Sequence, residues 1–103
     1  MKNKVPKKML LGFMQIHVLI QAKKEPFFGL GMIGELKKLD YDLSPGTLYP
    51  LLAKMEQEDL LKMDIRLING KNRHYYSITK NGIEVLEVAK TKAMILFNEL
   101  NEV

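Results

Sequence analysis

The 103-residue chain has no cysteine and no tryptophan, two histidines and four prolines. Without cysteine there is no disulfide framework, no thiolate nucleophile and no cysteine-bearing zinc site, and a reducing cytoplasm suits the chain. A membrane helix needs roughly 18 consecutive apolar residues, and no run approaches that, so no membrane association is expected. His17 and His74 are the only side chains that ordinarily titrate near neutrality, and neither stands beside a nucleophile and an orienting acid in the sequence. No Walker loop, dinucleotide fingerprint or paired-histidine metal spacing occurs. Catalysis is therefore not expected, and neither a cofactor nor a metal is called for.

What is present fits a small folded protein. Apolar residues make up 47% and charged residues 27%, ordinary for a globular chain and unlike a disordered one. A chain this short buries only about two thirds of its unfolded surface, so a single small core is the ceiling and a partner subunit would add stability. The net charge of +4 is unevenly spread. Residues 1–24 carry six lysines and no acid, and residues 62–80 carry five basic side chains against Asp64. Residues 25–59 hold seven acids to three bases. Such segregation suggests a positive face meeting a polyanion, although a solvated surface would look the same from charge alone. Lys2, Lys4, Lys7 and Lys8 followed by Met9–Met14 imitate a secretory signal, but Gln15, His17 and Gln21 interrupt it and Lys23-Lys24 replaces a small-residue cleavage site.

The apolar periodicity predicts a first helix from Lys7 to Ala22, with Met9, Leu10, Phe13, Met14, Ile16, Leu19 and Ile20 on its apolar side and Pro6 at its start. Residues 25–29 break it. A second helix carries Met32, Ile33, Leu36 and Leu39 and ends near Asp40, weakened by Gly31 and Gly34. Ser44-Pro45 opens a third helix, where the serine hydroxyl can accept from an orphan N–H and proline loses no bond. Leu48, Leu51, Leu52 and Met55 then form one side, and Gly46, Pro50, Ala53 and Gln57 the other. Pro50 removes a ladder bond, so a kink or a tight first turn is expected. Leu61, Met63, Ile65 and Leu67 alternate with polar residues as in a half-buried strand. Asn69-Gly70 signals a hairpin, lengthened by Lys71 and Asn72, with the returning strand at Arg73–Ile78. Thr79 caps a last helix running to about Leu100.

That order, mostly α with a small β-hairpin, is a winged helix-turn-helix plus a C-terminal dimerisation helix: residues 1–78 would bind DNA and 79–103 dimerise, packed as one domain. The third helix would enter the major groove of double-stranded DNA, and the wing would meet the flanking backbone. Ser44, Pro45 and Gly46 allow phosphate binding and close backbone approach, Thr47 and Tyr49 can reach phosphates or base edges, and Lys54 flanks the same face. The alternative is that Tyr49 packs against the loop before helix two as part of the core edge. In the wing, Lys71 and Arg73 have no neighbouring acid and suit phosphate or minor-groove contact. Leu86, Ala89, Ala93, Leu96, Phe97 and Leu100 form a stripe on the last helix that Val85, Val88, Met94 and Ile95 widen beyond the needs of one partner. One side suits its own domain and the other a second subunit, giving a homodimer; the alternative is the central helix of a monomer.

Leu43-Ser44-Pro45-Gly46-Thr47-Leu48-Tyr49-Pro50-Leu51-Leu52, Met55-Glu56-Gln57-Glu58 and Arg73-His74-Tyr75-Tyr76-Ser77-Ile78-Thr79-Lys80-Asn81-Gly82 together resemble the PadR family of bacterial transcriptional regulators. The resemblance runs over about residues 9–100. It implies a homodimeric repressor on an inverted-repeat operator, with the last helix at the dimer interface. The short stretch after residue 100 resembles the short subfamily, in which several members bind planar apolar effectors near that interface. Two departures stand out: Gly29-Leu30-Gly31 where the family usually has Gly-Tyr-Glu, and Asp59 where a glycine commonly precedes the hairpin. A winged-helix module that binds another protein, and no DNA, is the competing expectation.

Overall fold

The computed structural model describes residues 5–103; Lys2 and Lys4 of the basic N-terminal segment lie outside the described residues. Helices α1 (Lys7–Lys24), α2 (Gly31–Lys38) and α3 (Pro45–Gln57) precede a hairpin of β2 (Leu61–Ile68) and β3 (Lys71–Ile78), and α4 (Lys80–Leu100) closes the chain. A two-residue strand, β1 (Phe27–Phe28), joins the hairpin, giving an antiparallel sheet in the order β1-β3-β2. This is a winged helix-turn-helix with a C-terminal helix. In sequence, residues 25–29 read only as a helix breaker. In the structure Phe27 pairs with Tyr76 and Phe28 with Tyr75, and the Phe27 and Tyr76 rings stack at 5.4 Å. Two residues show no period, so the strand is defined by the edge it joins.

The core forms where α1, α2 and α3 meet the base of the wing. Val18, Met32, Leu36, Leu48, Leu52, Met55 and Leu61 are fully buried, joined by Met14, Leu19, Ala22 and Tyr76, and among the described residues no charged or amide side chain is buried. On α3 the predicted apolar side is the buried one. Burial pushes the Tyr76 phenol above its ordinary pKa, and the neighbouring Tyr49 and Glu56 push it the same way. The expectation for α1 is only half met. Met9 is 57% and Phe13 48% exposed, and Ile20 is exposed too, while Val18, outside the predicted stripe, is fully buried. The helix has two apolar faces, and periodicity does not say which one the domain covers.

Two helices end alike. Asp40 after α2 and Asp59 after α3 have φ of 69° and 59°. Tyr41 N–H donates to Leu36 O and Asp40 N–H to Lys37 O; Leu60 N–H donates to Met55 O and Asp59 N–H to Glu56 O. Both are Schellman endings in which aspartate holds the left-handed position usually given to glycine. Such a conformation strains an L-residue by about 1–2 kcal/mol, part of which glycine would return as lost chain entropy. Asp59→Gly is therefore expected to raise the unfolding free energy by about 0.5–1 kcal/mol. In urea, the midpoint should rise with an unchanged slope; an unchanged or lower midpoint would mean the Asp59 side chain contributes something its backbone does not show.

The start of α4 is sewn to the end of α3. Thr79 caps α4, its Oγ1 accepting from Gly82 N–H at 2.9 Å, as the sequence indicated. The same hydroxyl donates to Asp59 O, Asn81 Nδ2 donates to Asp59 O at 3.3 Å, and Thr79 N–H donates to Leu60 O at 3.1 Å. These bonds satisfy carbonyls at the turn and fix the direction in which α4 leaves the domain.

Candidate nucleic-acid interface

The first turn of α3 is tight, with Thr47 N–H and Leu48 N–H both donating to Ser44 O at 3.0 and 2.9 Å. Pro50 lies inside an otherwise continuous helix, so the tight first turn is the observed outcome. Ser44 holds the cap position, but its hydroxyl caps no N–H, contrary to the sequence expectation. Its backbone carbonyl closes the turn and leaves Oγ exposed, 3.6 Å from where a side chain on Gly46 would begin. Gly46, Pro50, Ala53 and Gln57 are exposed along one line of the helix, and Pro45 is exposed at its start. Gly46, Ala53 and the compact rings of Pro45 and Pro50 keep this ridge low, so another backbone can come close over its leading part.

A groove borders the ridge on each side. On one side Tyr49 and Ala53 face Leu30, Met63, Asn72, Arg73 and His74 of the loop and wing. Tyr49 is half-buried here and packs on the wing instead of standing free. Its ring meets His74 edge-on at 6.4 Å, and a side chain on Gly29 would come within 3.1 Å of its ring and hydroxyl. Glycine at 29 is what lets that ring close on the loop, and Gly29 N–H also donates to His74 O. On the other side Gly46, Thr47, Pro50 and Lys54 face Lys7, Lys8, Leu11 and Gln15 of α1 across an open groove of about 650 Å³. Thr47 is half-buried along this margin, and Lys54 is exposed.

The wing projects past the core. Asn69 and Gly70, with φ of 52° and 77°, make a two-residue turn in which Ile68 pairs directly with Lys71. Lys71 and Asn72 are thus strand residues, not a lengthened loop: both turn residues adopt positive φ, and the tight turn closes without help. Leu61 is buried and Met63 half-buried, but Ile65 and Leu67 are 60% and 70% exposed because nothing lies beneath the tip. Lys71 is exposed. Arg73 stands opposite Arg66, and each guanidinium covers an aromatic ring at 4.7 Å, Arg73 over Phe28 and Arg66 over Tyr75. Arg73 therefore has a cation–π partner that the sequence reading, looking only for acids, did not anticipate. The rings hold the two like charges side by side on the wing.

A second surface lies on α4. Leu86, expected at a subunit interface, is 9% exposed and belongs to its own chain's core, because the first turns of α4 lie over α1. Ala89 is half-buried, and every residue from Lys90 onward is exposed, including Ala93, Leu96 at 54%, Phe97 at 64% and Leu100 at 65%. Between α1 and α4 runs an apolar groove of about 650 Å³ lined by Ile16, Ile20, Leu86, Ala89, Ala93 and Met94. Lys23 and Glu87 pair across it at 3.6 Å. The share of α1 in this surface is not among the sequence expectations; its signal is the excess of apolar positions on that helix. No helix among the described residues is long and apolar enough to cross a membrane.

Residues 18–88 match the transcriptional regulator PadR-like family. A transcriptional regulator of Mycobacterium tuberculosis is 35% identical over 68 residues, covering 66% of this chain and 64% of that protein, so the match spans a little under two thirds of the relative's length. A PadR-like transcriptional regulator of Bacillus cereus superimposes with a TM-score of 0.82 at 29% identity, over 93% of this chain and 95% of that one. A PadR family regulator of Eggerthella lenta gives 0.77 at 26% identity, over 92% and 88%. The chain belongs to the PadR-like family of transcriptional regulators, which are not enzymes.

Proposed function

We propose that the protein is a sequence-specific, homodimeric DNA-binding repressor acting in the cytoplasm on an inverted-repeat operator. Residues 1–78 serve as the DNA-binding region and 79–103 as the dimerisation helix. The bare leading ridge of α3 carries the reading: Ser44, Pro45, Gly46 and Thr47 lie at the end of a helix about as wide as the major groove, with basic side chains beside it. Glu56, Glu58 and Asp59 crowd the trailing end, so phosphate is met at the start of the helix and repelled at its finish. Lys71 and Arg73 place the wing on the backbone, and Tyr49 acts by holding the wing against α3. The uncovered face of α4, with Ala89, Ala93, Leu96, Phe97 and Leu100, meets a second copy. The apolar groove between α1 and α4 is where a small apolar effector would lodge and shift the two copies.

Binding should be strongly salt-dependent. If six phosphates per dimer are neutralised, the logarithm of affinity for DNA upstream of the gene falls against the logarithm of salt with a slope of about −5. Lys71→Ala should weaken specific and nonspecific complexes alike and flatten that slope by up to about two per dimer. An electrophoretic shift series across salt checks both. A flat salt response, or no shift at all, would favour a module that binds another protein.

A further inference from the structure

The wing gives the α3 ridge a basic flank on one side, and the geometry points to a second on the other. Lys7 and Lys8, in the first turn of α1, and Lys54 of α3 surround the groove that also contains Gly46, Thr47 and Pro50. No acid lines this groove. The ion pairs among the described residues are Lys23–Glu87 and Lys38–Glu35, so neither Lys7, Lys8 nor Lys54 is engaged by a carboxylate. The placement also opposes the helix dipole: α1 has two lysines and no acid in the turn where acids stabilise and cations do the reverse, and Pro6 supplies no side-chain cap. Three like charges around one groove, two of them at the positive end of a helix, cost stability in the free protein. A polyanion seated there reverses that cost.

We propose that this groove binds the phosphate backbone of the DNA strand opposite the one met by the wing, so that α3 is clasped from both margins of the major groove. The proposal rests on the DNA-binding reading above. A helix with its side chains is about 10–12 Å across and the major groove about 12 Å wide, so a seated α3 has one backbone on either side. Tyr49, Asn72 and Arg73 border one side of the ridge, and Lys7, Lys8 and Lys54 the other. Because these lysines meet phosphate, they add affinity without reading sequence.

The test compares Lys7→Gln/Lys8→Gln with a charge-matched control, Lys37→Gln/Lys80→Gln, whose residues line none of these grooves and lie off the uncovered face of α4, in salt-titrated shift assays on specific and random duplexes. The first variant should bind both duplexes at least about tenfold more weakly and flatten the salt slope by up to about 3.6 per dimer, from two lysines in each copy. The control should change the slope by less than about one, and the thermal midpoint of Lys7→Gln/Lys8→Gln should not fall, because the removed charges oppose the dipole. Equal slopes in the two variants would overturn the groove as a phosphate site while leaving DNA binding intact. Failure of the unaltered protein to bind any duplex would overturn the underlying reading as well.

Discussion

Leu96→Glu combined with Leu100→Glu should convert the protein to a folded monomer that binds its operator at least about a hundredfold more weakly, because linked half-sites gain about that much or more from being tethered. Both side chains are more than half exposed, on the part of α4 where every residue from Lys90 onward is exposed. Replacing them therefore leaves the core of Val18, Leu36, Leu48, Leu52 and Met55 untouched. Full burial of a leucine contributes about 1.5–3 kcal/mol; with only the exposed half to two thirds of each left to bury, removing four from the proposed symmetric interface costs about 4 kcal/mol or more, before the four carboxylates are considered. Sedimentation and circular dichroism read the outcome together. Helical signal retained at a monomer's mass is expected; a persisting dimer would place the interface elsewhere.

Gly82→Ala should be among the most destabilising single-methyl changes available in this chain. A β-carbon at 82 would fall against Leu60 O and within 2.7 Å of Ile78 Cγ1. The first is backbone, already held by Thr79 N–H, and cannot swing aside as a side-chain tip would. Relief requires α4 to lift from the α3–β2 turn, loosening the Thr79 and Asn81 bonds that join the helix to it. Overpacking of this kind costs about 3 kcal/mol, and at about 4–8 °C per kcal/mol for a domain of this size the midpoint should drop by about 12 °C or more. Gly34→Ala supplies the contrast. Nothing lies within 4 Å of its missing β-carbon, and it sits inside α2, so alanine should stabilise by about 0.5–1 kcal/mol. Scanning calorimetry at matched protein concentration checks the pair; similar shifts in both would mean that the packing around Gly82 yields more than its backbone contacts imply.

These two glycines also show which features the chain discloses locally. Ser44-Pro45, Asn69-Gly70 and the cap that Thr79 makes with Gly82 N–H act within four residues of themselves, and each marks its element boundary in the structure. Gly34 and Gly82 look alike in sequence, and what separates them is the close packing of Gly82 on Ile78 and on Leu60, twenty-two positions away. The same holds for Phe27-Phe28, which is a strand only because β3 offers an edge, and for Tyr49, whose ring is claimed by Gly29 and His74. On α1 and α4 the apolar pattern reports burial without saying by what. Leu86 goes to the chain's own core, whereas Phe13 and Phe97 stay uncovered. The side chains proposed for DNA contact fare likewise: Ser44, Gly46 and Lys71 are exposed, while Arg73 is already partnered by Phe28.

The most direct test maps the complex base by base, by methylation protection and hydroxyl-radical footprinting on the DNA upstream of the gene. Two half-sites should be protected, their centres about 10 base pairs (roughly 34 Å) or a whole multiple of that apart, with guanine N7 in each shielded because α3 occupies the major groove. A complex in which N7 stays reactive throughout, or a single protected window with no symmetry mate, would contradict the account.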